Sequence, residues 1–213
     1  MNVILIGAQG SGKGTQAQFI SSEMNLKHTA SGDLLRDAIA QGTPSGLAAR
    51  PYYERGDLVP DEVMVGMILD AISDLGGKAG LLLDGFPRTL AQARILDMRL
   101  AERGQRVDKV IYLQVPRQQL VERLAGRYLC RAHGHIWNIA SLPPKTPGIC
   151  DYDGSELYQR SDDTGEAVAR RLDIFFTETI TLVDYYAQQH KEVTIDGSGT
   201  IEQVHVAVRA ALR

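Results

Sequence analysis

Two rhythms of apolar and polar residues alternate along this chain. Short apolar runs at 3–6 and 81–83 read as buried strands of a parallel sheet, and 110–115 and 193–196 predict two further strands. Between them apolar residues recur at helical spacing. Ala17, Phe19, Ile20 and Met24 predict a helix over 16–24, and Leu34, Leu35, Ala38 and Ile39 predict one opening at Ser31. A short helix over 47–54 follows, then one starting at Asp61 through Val63, Met67, Ile68 and Ile72, ended by the glycines of 76–80. Further helices open over 85–89 (Ile95, Leu96, Leu100), at 118–127 (Leu120, Val121, Leu124), over 164–189 (Val168, Leu172, Phe175, Phe176) and over 201–212. Strand and helix in alternation predict an α/β fold with a doubly wound parallel sheet, like that of P-loop nucleotide-binding proteins. Two stretches interrupt it, small helices between the first two strands and a tract from about 127 to 164.

The first strand runs into Gly7, Gly10, Gly12, Lys13, Gly14 and Thr15. Glycines allow a loop whose backbone N–H groups turn inward around an anion, Lys13 adds a mobile positive charge, and the next helix starts at the same point. The spacing Gly7-x4-Gly12-Lys13 is the P-loop pattern, with Gly14 ahead of the hydroxyl residue. This predicts a nucleoside-triphosphate site. Asp84 stands at the carboxyl end of the second predicted strand, on the side where α/β sheets bind ligands. It is a candidate for holding Mg²⁺, with helix capping the alternative. Arg36, and the pair Arg123 and Arg127 on one predicted helix turn, each read alone as solvated surface sooner than as phosphate ligands.

The tract after Arg127 loses the helical period. Pro143, Pro144, Pro147, several glycines and Tyr128, Trp137 and Tyr152 suit short strands and turns. Both cysteines lie there, in Cys130-x2-His133 and Cys150-x2-Asp153, a knuckle spacing for a closed, structural Zn²⁺ site. His135 competes with His133 as the ligand. Reduced core cysteines or a disulfide are the alternatives.

Composition narrows the picture further. A net charge of −3 over 213 residues argues against general nucleic-acid or membrane-surface binding. No apolar run approaches a membrane span, and two cysteines do not make a disulfide scaffold. A cytoplasmic protein is expected.

Taken together, the loop from Gly7 to Thr15, Ser31-Gly32-Asp33-Leu34-Leu35-Arg36, Leu83-Asp84-Gly85-Phe86-Pro87-Arg88-Thr89 and Arg160-Ser161-Asp162-Asp163 resemble the adenylate kinases of the bacterial long-lid type, over nearly the whole chain. The resemblance implies a core of 1–29, 60–125 and 164–213, an AMP-binding insert at 30–59, and a lid at 126–163. It implies AMP contacts at Ser31, Arg36, Asp57, Leu58, Val59, Gly85, Phe86, Pro87, Arg88 and Gln92, with the Gln92 amide reading adenine. For ATP it implies Gly10, Ser11, Gly12, Lys13, Gly14, Thr15, Arg123, Arg127, Ile136, Trp137 and Gly199. It implies that Arg160 and Arg171 reach across onto the phosphates, in the AMP and catalytic sets, and members of this kind carry zinc at the positions of Cys130, His133, Cys150 and Asp153. Gln9 departs from the family pattern, which usually has proline there, and Asp57 departs from a frequent lysine.

The implied reaction is reversible, Mg²⁺-dependent transfer from ATP to AMP giving two ADP, by a monomer. An AMP phosphate is anionic near neutrality, so no general base is required, in keeping with the expected absence of histidine near the P-loop motifs. Lys13, Asp84, Arg36, Arg88, Arg123, Arg127, Arg160 and Arg171 would carry the electrostatics, and both inserts would close to exclude water, with lid opening limiting turnover. The alternatives are a UMP/CMP kinase, a GTP-using kinase, or a non-catalytic P-loop protein with a zinc module.

Overall fold

The structure is a computed structural model in which residues 1–73, 80–159 and 165–213 are described. The expected break at 76–79, Arg160 and the 161–163 motif lie outside the described residues.

A five-stranded parallel sheet forms the centre, in the order β2-β3-β1-β4-β8. Its strands are β1 (Asn2–Ile6), β2 (Leu26–Ala30), β3 (Gly80–Asp84), β4 (Lys109–Gln114) and β8 (Glu192–Asp196). β1 is buried at every position because it lies mid-sheet with helices on both faces. Successive side chains point to opposite faces, so Ile4 and Ile6 join one apolar cluster while Val3 and Leu5 join another. The first cluster receives Leu172, Phe175 and Leu182; the second receives Ala17, Ile20, Val204 and Val208.

Strand β2 is a correction to the sequence reading. Leu26-Lys27-His28-Thr29-Ala30 shows no apolar run, since it is an edge strand paired only with β3, and its burial is broken by Lys27 and His28. After it come α2 (Ser31–Gln41), α3 (Pro44–Arg55) and α4 (Asp61–Ser73). Thr43 caps α3, accepting from Gly46 N, and Pro44 takes the first helical position. The helix expected from 85–89 begins later, as α5 (Leu90–Ala101), capped by Thr89. Asp84 is therefore not its cap.

Helix α6 (Arg117–Ala125) stops at Gly126, which places Arg127 at the start of β5 (Arg127–Cys130). The expectation that Arg123 and Arg127 share one helix turn is thus corrected. β5 lies between β6 (Ile136–Asn138) and β7 (Leu157–Tyr158) in a three-stranded antiparallel sheet over a small core of Cys130, Trp137, Cys150 and Leu157. The single helix expected over 164–189 is instead α7 (Gly165–Ile174), a π-helical turn at Phe175–Thr179 and α8 (Thr181–Ala187). The Ile180 N–H bonds the Phe175 carbonyl at 2.9 Å, the wider ring of a π turn. The final helix, α9 (Ile201–Ala211), is held by a capping box between Thr200 and Gln203. No helix among the described residues is long and apolar enough to cross a membrane.

Candidate active site

The loop between β1 and α1 (Lys13–Met24) turns on two glycines, Gly10 at φ 85° and Gly12 at φ 92°, a region that side chains avoid. Helix α1 starts with no side-chain cap and no acidic residue in its first turn, so its leading N–H groups face the loop mouth unoccupied by side chains. Lys13 Nζ folds back onto the Gly7 and Ala8 carbonyls at 2.6 and 2.9 Å. Burial pushes its pKa down to about 8; Asp84 opposes this, while Arg88 and Arg127 add to it. Those influences put Lys13, Asp84, Arg88 and Arg127 in one field, although they come from four different places in the sequence. Ser11 is buried in the loop, and Thr15 lies in the first turn of α1.

Asp84 ends β3, and its Oδ2 lies 3.8 Å from the position a Cβ on Gly14 would take. Burial alone would raise its carboxyl; His28 and the charge on Lys13 more than offset this and hold it below the usual carboxylate range. His28 comes from the unforeseen edge strand, with Nε2 3.6 Å from Asp84 Oδ2. A histidine therefore does stand near the P-loop motifs, contrary to the sequence reading. Its signal was hidden with the strand that carries it.

The Gly85 turn supplies the other half of the site. Gly85 has φ 74°, and a Cβ there would meet Ser31 Oγ at 2.8 Å. Ser31 Oγ donates to the Gly85 carbonyl at 2.7 Å, joining the start of α2 to the end of β3. Arg88 Nε bonds the same carbonyl at 2.8 Å. Arg88 has its pKa lowered first by desolvation, then by Arg171, with Asp84 opposing and Arg36 lowering it further. Three guanidiniums, those of Arg88, Arg171 and Arg36, thus share one field with the Asp84 carboxylate. Such crowding of like charge is what a polyphosphate relieves. Phe86 is buried, and Pro87 follows it through a cis peptide bond.

Gln92 is buried and engaged at both ends of its amide. Nε2 donates to Asp61 Oδ1, and Oε1 accepts from the Arg88 N–H, each at 2.7 Å. Its amide is therefore fixed by protein partners, with one N–H and one lone pair left for a base. Arg36 pairs with Asp33 and interacts with Tyr53. Asp57 pairs with Arg55 at 2.9 Å and with Arg170 of α7, Leu58 is half-buried, and Val59 is buried.

Arg123 spans from the P-loop to the loop after β8. Its Nη2 bonds the Gly197 and Ser198 carbonyls at 3.0 and 3.3 Å, and Nη1 reaches the Gly10 carbonyl at 3.5 Å. Gly199 follows, so close to Gln203 that a Cβ would sit 2.9 Å from Oε1. Ile136 of β6 leans over the P-loop, its Cδ1 3.6 Å from a Cβ position on Gly14. Trp137 does not face the site, since its side chain is 4 % exposed in the core of the small sheet.

Within that sheet, Cys130, His135, Cys150 and Asp153 bring one donor atom each within 4.8 Å of one another. His135 Nδ1 is 3.3 Å from Cys130 Sγ, 3.4 Å from Cys150 Sγ and 3.2 Å from Asp153 Oδ2. Zinc bonds of usual length give a tetrahedron with edges of about 3.3–3.8 Å, so the four donors fit such an ion. His133 is more exposed, and its Nδ1 bonds Asp153 Oδ2 from outside at 2.8 Å. Both cysteines are free, without a disulfide. Two matching turns build the cluster, with Gly134 N–H on the Cys130 carbonyl and Gly154 N–H on the Cys150 carbonyl.

A sequence profile described as adenylate kinase matches residues 5–191. Adenylate kinase of Carboxydothermus hydrogenoformans is 46% identical over 213 residues, spanning 100% of both chains. That of Bacillus subtilis is 42% identical over 212 residues, spanning 100% of this chain and 98% of its own, and that of Methanocella arvoryzae is 41% identical over 213 residues. The phosphate loop, the Gly85 turn and the crowded arginines thus lie in a chain alike from end to end, and this protein belongs to the adenylate kinase family.

Proposed function

We infer that this chain is an ATP:AMP phosphotransferase that transfers the γ-phosphoryl group of ATP to AMP, reversibly, giving two ADP. The observation that carries this reading is the phosphate loop, with Lys13 folded onto its carbonyls, set in one electrostatic field with Arg88 and Arg127, and Arg88 in turn with Arg36 and Arg171. Loop N–H groups and Lys13 bind the donor phosphates. Arg123 and the Gly197–Gly199 backbone flank its base, and Ile136 covers the loop. Ser31, Arg36, the 57–59 backbone and the Gly85–Arg88 turn hold AMP, with Gln92 near its adenine. Arg88 and Arg171 lie between the two half-sites, and Arg160 joins them by resemblance.

The acceptor oxygen belongs to an ionised phosphate, so no side chain has to remove a proton. The protein's task is to align the acceptor with the γ-phosphorus and spread the negative charge of a loose transition state over fixed cations. Mg²⁺ bound with ATP supplies further neutralisation of the β and γ oxygens. Asp84, kept ionised beside the loop, is the residue placed to hold it. Cys130, His135, Cys150 and Asp153 would hold Zn²⁺ as a closed structural site, with His133 steadying Asp153 from outside. Residues 30–59 and 126–163 then act as covers that exclude water. The protein works as a monomer in the cytoplasm.

A coupled assay of ADP formation from Mg-ATP, run with AMP, UMP, CMP or no acceptor, tests this. Turnover with AMP and little with the others is expected. Equal ATP consumption without acceptor contradicts the reading.

A further inference from the structure

The turn that opens the phosphate loop carries a side chain whose partner lies outside the loop. Ser11 N donates to the Ala8 carbonyl at 3.1 Å, closing a four-residue turn over Ala8, Gln9, Gly10 and Ser11. Gly10, in the third position, has φ 85°, whereas Gln9 is not among the residues of positive φ. That combination defines a type II turn, whose second position favours proline because the ring presets φ. Gln9 occupies the position instead. It gives up that conformational advantage and gains a reach that proline lacks.

What it reaches is Arg171. Gln9 Oε1 accepts from Arg171 Nη1 at 3.3 Å, a contact between the phosphate loop and α7. Tyr53, from α3, lies on the same guanidinium, its ring centroid 5.6 Å from Cζ. Arg171 also lies within the electrostatic reach of Arg88. Like charges drive a long, flexible guanidinium away unless an acceptor restrains it, and its planar fork fixes direction once one N–H is engaged.

We propose that Gln9 is a positioning residue for phosphoryl transfer, its side-chain carbonyl tying the Arg171 guanidinium to the phosphate loop so that it faces the phosphates between the two nucleotides. This rests on the phosphotransferase reading above. The loop that grips the donor thereby also aims a cation from α7. Positioning of this kind acts on the transition state more than on ground-state binding, so kcat is the quantity it moves.

The test is a double-mutant cycle on kcat for ADP formation, using Gln9→Leu and Gln9→Pro alone and with Arg171→Ala. Leucine keeps the bulk and removes the acceptor; proline restores the favoured turn residue and also removes it. Each single Gln9 substitution is expected to lower kcat about tenfold, the scale of one charge-assisted hydrogen bond. In the Arg171→Ala background the same substitutions cost nothing further, because the group they position is gone. A role confined to the turn would give additive losses, and would be rescued by proline. Additive effects, rescue by proline, or wild-type kcat in both single variants overturn the proposal while leaving the kinase reading intact. Absence of AMP-dependent turnover in the unaltered chain overturns that reading, and this proposal with it.

Discussion

At the scale of single residues, Lys13 makes the clearest prediction. Its pKa falls to about 8 from an ordinary 10.5, chiefly through burial. Between those values the unfolded chain keeps a proton that the folded chain has released, so this group's contribution to stability rises with pH. Below about 8 both states are protonated, and the folded state carries the cost of a buried charge. Nucleotide phosphates reverse the preference by favouring the ammonium. Binding of Mg-ATP near pH 8.5, roughly half a unit above that pKa, should therefore take up a proton. Calorimetry in buffers of different ionisation enthalpy measures it, and no net uptake would mean that Lys13 is not beside the phosphates. Gly85 offers a second check. Gly85→Ala places a methyl against Ser31 Oγ at a positive φ and should cost about 1–3 kcal/mol of stability, read from denaturant midpoints.

These residues were legible in the sequence to different degrees. Lys13 and the loop glycines announce themselves by spacing, because an anion-binding loop admits few alternatives. Asp84 was visible as a strand-end carboxylate but ambiguous between metal and cap; the Thr89 cap on α5 removes the second reading. Neither His28 beside Asp84 nor Gln9 beside Arg171 was readable, because each contact joins segments that are far apart in sequence. The Gln92 amide was expected to face a base, and the structure shows Asp61 and the Arg88 N–H holding it.

At the scale of elements, β1 and β3 were plain because Val3 to Ile6 and Leu81 to Leu83 are unbroken apolar runs, whereas edge strand β2 was not. The small sheet was expected as strands and turns, and its ligand choice depends on a detail that spacing does not contain. The turn from Cys130 to Gly134 sends His133 outward and brings His135 back with β6, so the histidine nearest the cysteines is the later one. His135→Ala should abolish bound zinc, while His133→Ala should retain close to one ion per chain, by metal analysis of the purified variants. Retention in the first and loss in the second would reverse the assignment. Chelation should lower the melting temperature more than it lowers activity at moderate temperature, because a four-ligand site stiffens the sheet without joining the reaction.

At the scale of the whole molecule, the fold keeps its cations on separate pieces and lets nucleotides justify bringing them together. Lys13 belongs to the first βα loop, Arg36 to α2, Arg88 to the turn after β3, Arg127 to β5 and Arg171 to α7. The segment at 30–59 is drawn toward α7 by Asp57 on Arg170, by Tyr53 on Arg171, and by Gly56, where a Cβ would lie 3.2 Å from the Ala167 carbonyl. The ion pair is partly exposed, so it contributes no more than about 1 kcal/mol and weakens with salt. Asp57→Asn should raise the KM for AMP by up to about fivefold in low salt, and the difference should fade at high ionic strength. A salt-independent change would point to lost packing instead.

The central claim is that these converging cations pass a phosphoryl group to AMP and not to water. Phosphorus NMR of equimolar Mg-ATP and AMP with this protein follows both fates in one sample. ATP and AMP should fall together while ADP rises at twice that rate, with orthophosphate absent over the approach to equilibrium. Orthophosphate accumulating while AMP stays constant would contradict it.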